Sequence, residues 1–190
     1  MIINQVYINN NLLSIITNRS YLWVNNRLYY KTKKYKTNMT QEINFYQIDD
    51  VYHKSIAPLL IKTLDEGKKA FLFCSDEDRL AEIDKGLWQF SKTKFVPHVT
   101  NKETDIEELS SWDRQPIVIS DEEDNKNGAD YLVLINEPSS DFIKKFNRIF
   151  YFYTDEQIDE AKKFAKNFTK DGQKVKSFKK SDGKWASFEL

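Results

Sequence analysis

Residues 70–99 read AFLFCSDEDRLAEIDKGLWQFSKTKFVPHV, and the fold follows from them. Ala70 to Cys74 is a short unbroken apolar run, the kind a sheet strand shows when both its faces are covered. Ser75-Asp76-Glu77-Asp78 reads as a capping box opening a helix, and Leu80, Ile83 and Leu87 recur at helical spacing as its buried stripe. Phe95 to Val99 predicts a further extended segment. Strand, capped helix and strand in this order set the alternation of an α/β protein.

The same alternation continues on both sides. Upstream, Ile43 to Ile48 is a β-rich run, after which Asp49 and Asp50 offer an N-cap to a helix. Ile56, Leu59, Leu60 and Leu64 give that helix one apolar face, and Gly67 closes it. Downstream, Ile117 to Ser120, Tyr131 to Ile135 and Ile149 to Tyr153 read as strands, with an exposed loop at Asp121 to Gly128 and a short helix at Ser139 to Phe146. Thr154-Asp155-Glu156-Gln157 caps a last long helix, roughly Asp155 to Lys170. The expected architecture is a three-layer α/β/α fold with a mainly parallel central sheet, a single domain over residues 39–190.

Composition narrows the function. The chain has 190 residues, and a 40% apolar share is enough for one core or two small ones. No apolar run approaches the roughly 18 residues of a membrane-spanning helix. A lone cysteine, Cys74, excludes an intrachain disulfide framework and suits a reducing cytoplasm. With only Cys74, His53 and His98 as soft ligands and no carboxylates at ligand spacing, no structural metal is expected. The five glycines never cluster into a phosphate-cradling loop, so no nucleotide cofactor is expected either.

Net charge is zero, yet it is unevenly spread. Residues 1–38 hold six cations and no acid, which leaves 23 cations against 29 acids in residues 39–190, a balance of −6. The first segment is rich in asparagine and keeps neither a helical nor a strand period, so it reads as poorly structured. Either it is a basic arm for nucleic acid or acidic lipid, or it is translated upstream sequence and the start is Met39, directly before a well-formed strand. The second is the expectation.

Catalytic groups are few. His98 follows Pro97 and reads as a turn or packing residue; as a base it would need an acidic partner. Cys74 precedes a serine and three acids, which raise a thiol pKa. The acids at 76–78 and 121–124 fit a helix N-terminus and a solvated loop. Binding features are stronger. On the last helix Ile158, Ala161, Ala165 and Phe168 take one side, while Lys162, Lys166 and Lys170 lie four apart on a neighbouring stripe. Such a row is either a solvated lysine face or a receptor for an acidic peptide, with single-stranded nucleic acid as a second partner class. Trp88 points to the rim of the buried stripe of its helix, with Phe90 and Phe95 on the connection that follows. Such a cluster is either helix-end packing or the centre of a protein interface.

The run DEDRLAEIDKGLWQFSKTKFVPH at residues 76–98, preceded by EGKKAFLFC, resembles the chi subunit family of the bacterial DNA polymerase III holoenzyme. The similarity runs from Ile43 to the region of Trp185, and the spacing from LW to FVPH is its most specific part. Residues 1–38 have no counterpart. The resemblance implies a cytoplasmic, non-catalytic accessory protein of the clamp-loader complex, acting as a monomer or in a 1:1 heterodimer. It implies two surfaces. One, at Trp88, Phe95 and Phe90, holds the psi subunit or a competing helicase. The other, at Lys162, Lys166 and Lys170, captures the acidic C-terminal tail of single-stranded DNA-binding protein, so that contact with DNA is indirect. The family often has an aromatic where this chain has Ala165, so either Phe164 takes that role or the pocket is shallower. Lysine also stands where arginine is common, which removes a bidentate grip on carboxylates. Two other classes stay open: a small α/β enzyme or nucleotide-binding relic, and a protein that binds single-stranded DNA directly.

Overall fold

The computed structural model describes residues 19–24, 27–32, 41–49, 51–102, 112–181 and 184–190. The chain divides into two compact units, Met1–Met39 and Thr40–Leu190. In the first, β1 (Arg19–Val24) pairs antiparallel with β2 (Arg27–Thr32).

The second unit is built on one eight-stranded sheet. Its strands are β3 (Glu42–Gln47), β4 (Ala70–Phe73), β5 (Val99–Thr100), β6 (Ile117–Ser120), β7 (Tyr131–Leu134), β8 (Arg148–Tyr153), β9 (Val175–Ser181) and β10 (Lys184–Phe188). They lie in the order β10-β9-β3-β8-β7-β4-β6-β5, and every neighbouring pair is parallel except β9 with β10. Helices α1 (Tyr52–Asp65), α2 (Glu77–Trp88), α3 (Ser140–Ile143) and α4 (Ile158–Lys170) connect them. None of the described helices is long and apolar enough to cross a membrane.

The period of two along each strand divides the core into two halves. Ala70, Leu72 and Cys74 join α1 and α2 on one face, while Phe71 and Phe73 join α3 and α4 on the other. All four residues of β4 are buried, as a strand covered on both sides requires. This is the three-layer α/β fold expected from residues 70–99.

Local punctuation differs at four places. Helix α1 starts at Tyr52 with Val51 as N-cap and no side-chain cap; Asp49 lies outside the helix, and Asp50 is outside the described residues. Helix α2 is capped by Asp76 rather than Ser75: the Asp76 carboxylate accepts from the Arg79 N–H at 3.0 Å. The Ser75 N–H donates instead to Asn136 at 3.1 Å. Residues 95–98 form no strand, because Pro97 has no N–H and the Val96 carbonyl is taken by the His98 ring at 2.7 Å. Last, the chain turns back after α4 at Gly172, whose φ of 74° is left-handed, and runs into β9 and β10, for which no strands were expected. The expected capping box at Thr154 to Gln157 is present.

Helices α1 and α2 approach closely at Gly86. A Cβ there would stand 2.2 Å from His53 Nδ1 and 2.8 Å from His53 Cβ, so the contact cannot be relieved by moving the ring alone. Gly86→Ala is therefore expected to lower unfolding stability in urea by about 1–3 kcal/mol, the usual cost of overpacking. An unchanged midpoint would show that the two helices do not meet there.

Candidate functional site

Two exposed features stand out on opposite layers of the sheet. On the α1–α2 side, Trp88 ends α2 and Phe95 stands in the loop beyond, 52% and 64% exposed, with ring centroids 5.4 Å apart. Ser91 shapes the turn between them, its hydroxyl accepting from the N–H groups of Thr93 and Lys94 at 3.2 Å each. Behind the indole, 4.8 Å away, sits the buried ring of His98. Its Nδ1 donates to the Val96 carbonyl, and its Nε2 lies 3.1 Å from the Asp84 carboxylate on α2. His98 thus ties the loop carrying Phe95 to the helix carrying Trp88. Phe90 is half-buried and packs onto the core, so it supports this surface from beneath.

On the α3–α4 side, α4 presents Lys162, Lys163, Lys166 and Lys170, all exposed. Among the described residues none of these ammoniums has a carboxylate within 4.0 Å. Each residue advances about 100° around a helix, so steps of four from Lys162 drift by only about 40° and form one ridge. Ala165 is half-buried at the seam between that ridge and the core.

Phe164 lies elsewhere. It sits two residues from both Lys162 and Lys166, about 160° round the helix from each, and is 3% exposed. Its ring centroid is 5.7 Å from that of Phe45, 5.1 Å from Tyr151 and 4.9 Å from Phe168. The expectation that Phe164 replaces the missing aromatic at the surface is corrected by this burial.

Sequence reasoning missed Lys163, the Asp84–His98 contact and the strand that carries Lys179, one of the basic residues that follow the last helix. Lys179 shares a β9 face with Val175, which packs onto the α4-side core. The alternation of Val175 and Ser177 with Lys176 and Phe178 after Gly172 was the available signal.

The other ionisable groups do structural work. Cys74 is buried, and burial pushes its thiol pKa up to about 11, away from nucleophilic use. Lys102 donates to Asp121 and Glu77, each at 2.8 Å, and these hydrogen bonds hold its ammonium above the usual lysine range. Asp121 is held below the usual carboxylate range by Lys102 first and also by Asn101. Glu123 accepts from the Ser139 N–H at 2.7 Å and from the Ser139 hydroxyl. Of the acids at 76–78 and 121–124, Asp76 therefore caps α2, while Glu77, Asp121 and Glu123 tie neighbouring segments together.

Fold and surfaces together define a three-layer α/β scaffold whose prominent exposed chemistry is an aromatic pair on one layer and a lysine ridge on the other. The family described as "DNA polymerase III chi subunit, HolC" matches over residues 39–176, and the chain belongs to that family. The chain is 29% identical over 121 residues to "Probable DNA polymerase III subunit chi" of Rickettsia prowazekii, covering 56% of this chain and 70% of that one. It is 28% identical over 88 residues to "DNA polymerase III subunit chi" of Pseudomonas aeruginosa, covering 46% and 56%. Among solved structures, a DEAD box protein from Methanococcus jannaschii is similar with a TM-score of 0.49 and 10% identity, over 77% of this chain and 43% of that one.

Because Phe164 fills the core, Phe164→Ala is expected to destabilise the domain by about 3–5 kcal/mol, measured by chemical denaturation. A variant of unchanged stability would place the ring at the surface after all.

Proposed function

We propose that this chi-family protein is a non-catalytic adaptor that links the clamp loader of the replicative polymerase to single-stranded DNA-binding protein. Its lysine ridge on α4 captures the acidic C-terminal tail of that protein, and its Trp88–Phe95 pair holds psi or a helicase in the cytoplasm. The observation that carries this reading is a row of exposed ammoniums, without a carboxylate partner among the described residues, in a chi-family domain that is otherwise acidic.

The chemistry of the tail fits the ridge. Aspartates ending in phenylalanine present distributed negative charge, a terminal carboxylate and one apolar anchor, so a receptor needs cations around a small apolar seam. Lys162, Lys166 and Lys170 supply the cations, and Ala165 lies at the seam. Exposed ion pairs contribute roughly 0–1 kcal/mol each and weaken with salt, so binding is micromolar at best and salt-sensitive. The acid excess in residues 39–190 disfavours a direct grip on phosphates, which keeps the contact with DNA indirect.

Titrating the full chain with the tail peptide by calorimetry is expected to show binding that disappears when the terminal phenylalanine is removed, and to fall at least tenfold in Lys166→Glu. Equal binding of the truncated peptide would reject the seam as the anchor site. At the other surface, Trp88→Ala is expected to abolish co-purification with psi or a helicase while leaving tail affinity within twofold. Loss of both activities in that variant would show that Trp88 supports the fold rather than a partner.

A further inference from the structure

Beside α1 the sheet carries a groove that neither surface above uses. Its room is about 250 Å³, and Pro58, Leu59 and Lys62 of α1 form one wall while Trp185 of β10 stands on the other. The floor is Tyr46 with Phe150 and Phe152. Trp185 lies beyond the residues matched by the family, is 39% exposed and packs edge-on against Tyr46 at 4.9 Å.

The arrangement of the rings decides what can enter. Tyr46 is stacked between Phe152 at 5.0 Å and Phe178 at 5.1 Å, with interplanar angles of 17° and 18°. The faces of these rings are spent on one another, so their edges turn outward. A nucleobase needs an open aromatic face on which to stack, and this floor gives it none. An apolar side chain needs only walls. The space is below the roughly 300 Å³ at which pockets for drug-sized ligands begin, and suits one large side chain.

Charge at the rim selects the flanks of that side chain. Lys62 and Lys180 have no carboxylate within 4.0 Å among the described residues, and Lys180 Nζ lies 5.9 Å from the Trp185 ring centre. Arg148 is held by Glu42 at 3.0 Å, and Glu66 accepts from the Tyr131 hydroxyl at 3.0 Å. Lys62 thus lines the slot and Lys180 stands over its Trp185 wall, while Glu66, the acid in the lining, already accepts from Tyr131. Acids on either side of the entering residue would complement the two ammoniums.

We infer that this groove binds an internal acidic segment of a partner protein, one bulky apolar side chain seated between α1 and Trp185 with carboxylates on Lys62 and Lys180. The site is separate from α4, which packs on the opposite face of the sheet. It needs no terminal carboxylate.

The probe is fluorescein-Asp-Asp-Phe-Asp-Asp-amide, whose dye and amide leave neither end free, titrated into the full chain at low salt and followed by anisotropy. Binding at tens to hundreds of micromolar is expected, weakened at least tenfold by Lys62→Glu and by Trp185→Ala and less than twofold by Lys166→Glu. Lys62 is an exposed helix residue, so that variant keeps its meaning if Trp185→Ala unfolds β10. No binding at 1 mM would overturn the inference, as would loss only in Lys166→Glu, which would move the peptide to α4. Displacement of the peptide by an oligothymidine would reassign the groove to nucleic acid. Self-association in sedimentation that Trp185→Ala abolishes would reassign it to a second copy of the chain.

Discussion

Helix α4 is held to the sheet by four rings, Phe45 and Tyr151 from below and Phe164 and Phe168 from the helix itself. Aromatic pairs at these separations add about 0.5–1.5 kcal/mol each to the area they bury. Once Phe164 and Phe168 face the sheet, the helical period leaves Lys162, Lys166 and Lys170 directed outward. The cationic ridge is thus a consequence of core packing. A lysine row of this kind repels itself by a few tenths of a kcal/mol per pair, a cost the ring cluster easily offsets.

The second consequence concerns geometry between surfaces. The Trp88–Phe95 pair belongs to the α1–α2 layer and the lysines to the α3–α4 layer, with the sheet between them. A partner at one need not touch a partner at the other. That separation suits the proposed adaptor role, and it comes directly from the alternation of strand side chains, which gives each layer its own core. His98 and Asp84 fix the aromatic pair by joining loop to helix through a part-buried contact, and the nearby Gly86 lets α2 lie close to α1. Both devices act on the helix that displays Trp88.

Much of this was legible in the chain. The run from Ala70 to Cys74, the stripe of Leu80, Ile83 and Leu87, and the box at Thr154 all carried strong local periodicity or capping chemistry, and they fold as their pattern dictates. Trp88 and Phe95 were legible too, since a large apolar residue displaced from a buried stripe has little choice but the rim. What escaped was decided by tertiary partners. Phe164 could be assigned to neither side while its helix was judged on a stripe that included Ala165, because two faces of similar width compete until the sheet chooses. Strands β9 and β10 hid behind their lysines, which interrupt the apolar alternation by which strands are recognised, and β10 is in addition the edge of the sheet, where charge is the usual protection. Val96 and Pro97 looked extended and are so unpaired that only Val99 and Thr100 join the sheet.

The central claim is that an anionic chain end is held by the closing helix of a scaffold that performs no chemistry of its own. Nuclear magnetic resonance of the isotopically labelled full chain, recorded as the tail peptide of single-stranded DNA-binding protein is added, addresses it residue by residue. The account predicts that the amide signals that move cluster on α4 from Lys162 to Lys170 and on the adjoining part of β9, while those of Trp88 and Phe95 stay in place. Movement confined to α2 and the loop after it, or no movement at millimolar peptide in dilute buffer, would contradict it.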